Sequence, residues 1–307
     1  MSEALLILQE LAAGGCGALA LIVERSGSAP RGVGAMLLLR PDGSCLGTVG
    51  GGSLEQQVLE SMQQLQQDDQ ACVRSFQLLP EQDGMPCGGS LTLLLARLSP
   101  AAVPVFSTAA AGLEAGRGCC LQVGLSDSGQ VCWSADRPLH ELVQHYSIPL
   151  QPAPGVLICG AGHIGQALAP MALMAGFKVT VLDDRAELLA AGRFPAAVET
   201  FLVTGFQGCL ECQQITSATA VLIATYGHRY DRMVLEQALA TQAGYIGMVG
   251  SKRKRAELFE QLQAAGFSDA ALGRVHCPVG VPIGAETPAE IAVSILAEMI
   301  AVHRGKG

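Results

Sequence analysis

Gly160-Ala161-Gly162-His163-Ile164-Gly165 sits between an apolar run at 156–159 and a second at 164–175. A G-x-G-x-x-G spacing on its own says little. Between a strand and a helix, the first glycine permits a tight turn, the second lets backbone approach a pyrophosphate, and the third lets helix and strand pack closely. The positive end of that helix then holds the anion. The apolar run at 179–182 ends in Asp183, about 20 residues downstream, where an acid accepts a ribose hydroxyl. Gly160, Gly162, Gly165 and Asp183 therefore read as nucleotide-binding residues. His163 lies inside the loop, either as a surface residue at a helix start or facing the phosphate or metal end of a ligand.

Three further stretches combine glycines with polar groups. Gly250-Ser251-Lys252-Arg253-Lys254-Arg255 follows a strand pattern at 245–248 and opens a helix, so Ser251 and Lys252 read as anion contacts and the other three cations as solvated. Thr225-Tyr226-Gly227-His228 ends another strand, and His228 is either a proton-transfer group or a structural histidine. Nearer the N-terminus, Gly50-Gly51-Gly52-Ser53 feeds into a helix and reads as a second anion cradle, with a mobile turn as the alternative. Arg31, in Ser26-Gly27-Ser28-Ala29-Pro30-Arg31, either reaches that cradle or belongs to an ordinary exposed loop. Cys87, in Met85-Pro86-Cys87-Gly88-Gly89, is the thiol best placed for function, because backbone N–H groups of a glycine turn stabilise a thiolate; a small residue tolerated in a turn is the alternative.

Two sets of elements must position these loops. From residue 155 onward, strand patterns at 156–159, 178–182, 219–224, 245–248 and 273–275 alternate with helical patterns, which predicts a parallel sheet with right-handed crossovers. The last helix is announced by Thr287 as N-cap, Pro288 in the first position and Glu290 closing a capping box. Before it, a helix at 5–11, strands at 18–24, 35–40 and 45–49, a helix at 54–66 capped by Ser53 with Gln56, strands at 72–78 and 90–98, and a hairpin around Asp127-Ser128-Gly129 predict a smaller α+β domain. The alanine- and glycine-rich stretch 101–118 shows no clear pattern. Prolines 149, 152 and 154 mark 148–155 as a linker, dividing the chain into domains 1–148 and 155–307.

Composition narrows the function classes. Half the residues are hydrophobic and 15% charged, enough to build two cores. A net charge of −8 argues against a broad grip on nucleic acid or acidic lipid. The apolar stretch 156–182 is interrupted by glycines, a histidine, a proline and a lysine, so it reads as strand, turn and helix rather than a membrane span. Eleven scattered cysteines and the lack of a basic-then-apolar leader predict reduced thiols and a cytoplasmic protein. Cys209 and Cys212 have C-x-x-C spacing without a second pair, too little to claim zinc.

These blocks, taken together, resemble the XdhC/CoxI family of accessory proteins that mature molybdenum hydroxylases. The matching stretches are G-S-A-P-R-G-V-G-A, D-G-S-C-L-G-T-V-G-G-G-S-L-E, the C-G-G loop at Cys87, I-C-G-A-G-H-I-G, V-T-V-L-D-D-R, Y-I-G-M-V-G-S-K-R-K and C-P-V-G-V-P-I-G-A-E-T-P-A-E-I-A, in order from Gly27 to Ile291. The resemblance implies a maturation factor rather than an enzyme. Such a protein binds molybdenum cofactor in its pterin mononucleotide or cytosine dinucleotide form, supports its sulfuration with a cysteine desulfurase, and hands it to an apo molybdenum hydroxylase, as a monomer or a homodimer. The competing readings are an NAD(P)-dependent oxidoreductase and a nucleotide-sensing regulator. No acid–base pair or substrate-orienting arginine set in the sequence demands hydride transfer.

Overall fold

A computed structural model describes residues 3–15, 17–65, 70–78, 88–139 and 142–305. The chain divides into two compact units, Met1–Pro152 and Ala153–Gly307.

The first unit comprises α1 (Glu3–Ala12), β1 (Gly17–Ser26), β2 (Met36–Leu39), β3 (Cys45–Gly47), α2 (Gly52–Gln63), β4 (Ala71–Gln77), β5 (Ser90–Leu98), α3 (Val103–Glu114), β6 (Cys119–Leu125), β7 (Val131–Ala135) and β8 (Gln144–Leu150). An antiparallel five-stranded sheet has the order β3-β2-β1-β5-β4, and a three-stranded one the order β7-β6-β8. Strand alternation sends Ala18, Ala20 and Ile22 of β1 to the face covered by α2, and Leu19, Leu21 and Val23 to a core shared with α1 and α3. Both faces of the large sheet are therefore buried, which explains the near-continuous apolar runs in β1 and β5.

Two expectations need correction here. The stretch 101–118 contains α3, which buries Phe106, Ala109, Ala110 and Leu113. Its alanines gave no contrast between faces, so periodicity could not show it. The proposed linker is partly strand: β8 runs to Leu150, burying Ile148 and Leu150. Pro149 is tolerated because β8 is an edge strand paired only with β6.

The second unit comprises β9 (Gly155–Cys159), α4 (His163–Met174), β10 (Lys178–Asp183), β11 (Glu199–Leu202), β12 (Thr219–Ile223), α5 (His228–Leu239), β13 (Tyr245–Met248), α6 (Lys252–Ala264), α7 (Asp269–Leu272), β14 (Val275–His276) and α8 (Pro288–His303). Every strand pair is parallel, in the order β11-β10-β9-β12-β13-β14. Val156 and Ile158 pack towards α4 and α8, whereas Leu157 and Cys159 pack towards α5 and α6. Thr287 and Glu290 form the capping box of α8, with Pro288 in its first turn. The strand order reverses between β9 and β12, and the crevice beyond their carboxyl ends is where open α/β sheets bind ligands.

Candidate functional site

The three glycines of the loop after β9 are required for different reasons. Gly160 has φ +122°, and a Cβ there would lie 2.2 Å from the Ala224 carbonyl oxygen at the end of β12. A Cβ at Gly165 would lie 2.2 Å from the Gly160 carbonyl oxygen and 3.1 Å from Ile158, so α4 can approach β9 only without one. Gly162, the N-cap of α4, has φ −69° and open space where a Cβ would stand. The first and third glycines thus serve the fold, and the second leaves room at a helix start that no side chain caps. His163 is exposed at the first turn of α4.

Asp183 ends β10 fully buried, and both its oxygens are engaged. Oδ2 accepts the Ala161 N–H at 2.7 Å and a guanidinium N–H of Arg185 at 3.0 Å; Oδ1 accepts Arg185 Nε at 2.9 Å and the Arg185 backbone N–H at 3.0 Å. Burial would raise this carboxyl, but the bonds from Arg185 and Ala161 together outweigh it and hold the group below its usual range. Arg185 in turn lies 4.2 Å from the centroid of the Tyr226 ring, and Tyr226 donates to Asp184 Oδ2 at 2.9 Å. Asp184 Oδ1 is buried without a hydrogen-bond partner in this structure, 3.9 Å from Arg185 Nε. The sequence reading named Asp183 alone. The acid with unfilled acceptor capacity is its neighbour, which the D-D-R run contained without distinguishing the two.

The loops after β12 and β13 are tied by a buried ion pair. Lys254 Nζ donates to Asp231 and, at 2.9 Å, to the Val249 carbonyl; Thr225 donates to the other Asp231 oxygen at 2.6 Å. The Lys254 and Asp231 side chains are only 16% and 3% exposed, so Lys254 is not one of the solvated cations the sequence suggested. Arg253 pairs with Glu257 and Arg255 lies over Phe259, in keeping with a surface role for both. Ser251 caps α6, accepting the Lys254 N–H at 3.1 Å, while Lys252 is exposed beside it. His228 is an exposed first residue of α5. Cys209 is buried and hydrogen-bonds Cys159, whose thiol is pushed up by that bond and by burial, whereas Cys212 is exposed. No group of three metal-ligating side chains occurs among the described residues.

In the first unit three glycine stretches meet. A Cβ at Gly50 would lie 2.7 Å from the Pro30 ring, and one at Gly89 would lie 2.2 Å from the Ser28 carbonyl oxygen. The 26–31, 50–53 and 88–89 segments are thus packed together. The helix cap differs from expectation. Gly51, not Ser53, is the N-cap of α2, because three successive glycines at positive φ turn the chain one residue pair earlier. Glu55 accepts the Gly51 N–H at 3.3 Å and the Thr48 hydroxyl, so a carboxylate from within the chain already sits at this helix end. Arg31 is drawn to Glu3 rather than to Gly50. Cys87 lies outside the described residues; Gly88 and Gly89 beside it do not.

The second unit is of the Rossmann class: counting its strands from β9, the order is 3-2-1-4-5-6, with a glycine loop and acid at the switch point. Residues 156–299 match the XdhC Rossmann domain and residues 10–77 the XdhC and CoxI family. The chain belongs to that family. It is 30% identical over 288 residues to the Escherichia coli protein YqeB, covering 93% of this chain but only 43% of that protein's length. It is 26% identical to a Bacillus subtilis protein whose name makes it a probable xanthine dehydrogenase subunit (99% and 97% of the two chains), and 25% identical to the E. coli molybdenum cofactor insertion chaperone PaoD (96% and 86%). A crystal structure described as a xanthine dehydrogenase from Bacillus halodurans superposes with a TM-score of 0.83 at 26% identity, covering 100% and 97% of the chains. Among the described residues no helix is long and apolar enough to cross a membrane.

Proposed function

We propose that this chain is a maturation factor that binds molybdenum cofactor and delivers it to an apo-hydroxylase of the xanthine dehydrogenase or aldehyde oxidase type. The names of PaoD and of the B. subtilis relative support the direction. The observation that carries it is the space left at Gly162, at an uncapped helix start between two glycines whose bareness the fold itself requires. That is the expected form of a cradle for the phosphate of a pterin or its dinucleotide. Around it, Gly162 and His163 would hold the phosphate, Lys252 would add positive charge from the start of α6, and Asp184, rather than the internally satisfied Asp183, would read a ribose where the dinucleotide form binds. Taken by itself, the first unit offers a second candidate cradle in the loops Gly50 to Ser53 and 88–89, and Cys87, outside the described residues, is the candidate thiol, since a soft thiolate suits molybdenum. When bound, the cofactor would supply the molybdenum centre that is sulfurated before transfer to the hydroxylase. The chain's own part is to hold and shield it while a cysteine desulfurase provides the sulfur. Exposed His228 is a candidate proton carrier at the crevice.

Incubation of the purified chain with released cofactor under anaerobic conditions, followed by molybdenum and pterin analysis, tests this reading. Near-stoichiometric retention that Gly162→Ala abolishes is expected. No retention, together with tight binding of NAD(P) and turnover of a reducible substrate, would replace it with the oxidoreductase.

A further inference from the structure

Tyr226 reaches across the switch point. It stands three residues beyond the end of β12, and Asp184 one residue beyond β10, with β9 and its glycine loop between those two strands. The Tyr226 hydroxyl nevertheless donates to Asp184 Oδ2 at 2.9 Å. Its ring centroid lies 4.2 Å from the Arg185 guanidinium and 4.8 Å from the Tyr230 ring. A side chain of the protein itself thus spans the crevice in which this class of sheet holds its ligand. Its neighbours do not depend on it. Arg185 is held by Asp183 through two guanidinium bonds and one backbone bond, and Tyr230 packs on the buried Phe206 at 5.4 Å. Tyr226 is 50% exposed and lies outside the core, so it can leave without opening the fold.

The contacts Tyr226 makes are those a nucleoside would make. An acid after the second strand of such a sheet takes a ribose hydroxyl, and the base, one glycosidic bond from that ribose, must lie beside it. Here a phenol hydroxyl is the donor to Asp184, and a planar ring lies against Arg185. The imitation is incomplete. A phenol has one hydroxyl, and Asp184 Oδ1 is left buried with no hydrogen bond. A ribose has two adjacent hydroxyls, one for each carboxylate oxygen, so it gains a bond that Tyr226 cannot make. Resting on the reading of Gly162 as a phosphate cradle, we propose that the Tyr226 ring occupies the subsite for the nucleoside end of a nucleotide cofactor, and that ribose and base bind there by displacing it. A ligand that brings only a phosphate leaves Tyr226 in place.

Calorimetric titration of the whole chain with cytidine diphosphate and with inorganic pyrophosphate tests this. Tyr226→Ala should bind cytidine diphosphate at least about tenfold more tightly than wild type, because the ribose no longer competes with a charge-assisted hydrogen bond, and should bind pyrophosphate as wild type does. Tyr226→Phe keeps the ring but frees Asp184 Oδ2, so its gain should be smaller. The 2′,3′-dideoxy analogue, which cannot fill both Asp184 oxygens, should gain less than cytidine diphosphate from Tyr226→Ala. Both variants should unfold at the wild-type midpoint. Weaker or unchanged cytidine diphosphate binding by Tyr226→Ala overturns the proposal and makes the ring a stacking platform or a bystander. Equal tightening of pyrophosphate overturns it too, as does no cytidine diphosphate binding by wild type and variants alike. Molybdenum and pterin retention is read separately. Retention without nucleotide binding strikes the subsite and keeps the maturation factor, whereas a nucleotide gain in Tyr226→Ala without retention does the reverse.

Discussion

Asp183→Ala removes the acceptor of four hydrogen bonds from the end of β10, and its cost can be worked from the partners left behind. Ala161 is fully buried, so its N–H would be stranded, at about 1–3 kcal/mol. The Arg185 side chain is one-third exposed and can turn to water, so its share is that of a screened pair, up to about 1 kcal/mol. A loss of about 1–4 kcal/mol in a unit of this size lowers the thermal midpoint by roughly 2–16 °C. Were Asp183 a ribose contact, as its place at the end of the strand implies, the same substitution would weaken ligand binding by about 1–3 kcal/mol and leave the fold untouched. Thermal unfolding of the whole chain, followed by circular dichroism at neutral pH, separates the two. Acid adds a second check. The folded Asp183 carboxyl is depressed, so its stabilisation is complete above its unfolded pKa of about 3.9 and fades as the pH falls through the folded value. The gap between wild type and Asp183→Asn should therefore narrow below about pH 4. An Asp183→Ala protein with the wild-type midpoint and no affinity for nucleotide would refute the argument and return Asp183 to the ligand.

Other substitutions discriminate among neighbours. Gly160→Ala and Gly165→Ala drive a methyl into backbone at 2.2 Å and should abolish soluble expression or cost several °C, whereas Gly162→Ala should unfold like wild type and lose phosphate-bearing ligands, as calorimetry would show. Lys254→Met strands the buried Asp231 carboxylate and should destabilise by about 3–5 kcal/mol in chemical denaturation, while Lys252→Ala should stay within about 0.5 kcal/mol. Cys87→Ser should leave folding alone and reduce cofactor retention and client activation; full activation with Cys87→Ser, against a loss with Cys119→Ser or Cys209→Ser, would show that another sulfur does the work.

The elements read correctly from sequence are those whose signals are local. The capping box of α8, the glycine loop, and the alternation of apolar runs with amphipathic helices each encode their structure within a few residues, so five of the six parallel strands were legible from spacing, whereas β11, exposed along its length at the sheet edge, was not. Three features depended on distant partners. Lys254 looks like one cation of four until Asp231, 23 residues earlier, is folded beneath it. The cap of α2 lies at Gly51 rather than Ser53, where three positive-φ glycines turn the chain and Glu55 reaches back to Thr48 across seven residues. Strand β8 required β6 beside it before a proline-containing run could count as an edge.

The same distinction divides the candidate site. G-x-G-x-x-G presents three equivalent letters, yet only placement against Ala224 and Ile158 shows that two of the glycines are structural and one leaves space. D-D-R presents two acids, yet only the position of the Arg185 guanidinium shows that the first is satisfied within the chain while the second keeps a buried oxygen with no hydrogen bond. Sequence thus locates the crevice to within a loop, but which atom faces a ligand is decided by what the neighbouring strands have already claimed. Ligand-facing groups in this fold are therefore best sought among the residues its packing leaves unused: Gly162 at the start of α4, Lys252 at the start of α6, and Asp184 between them in the chain.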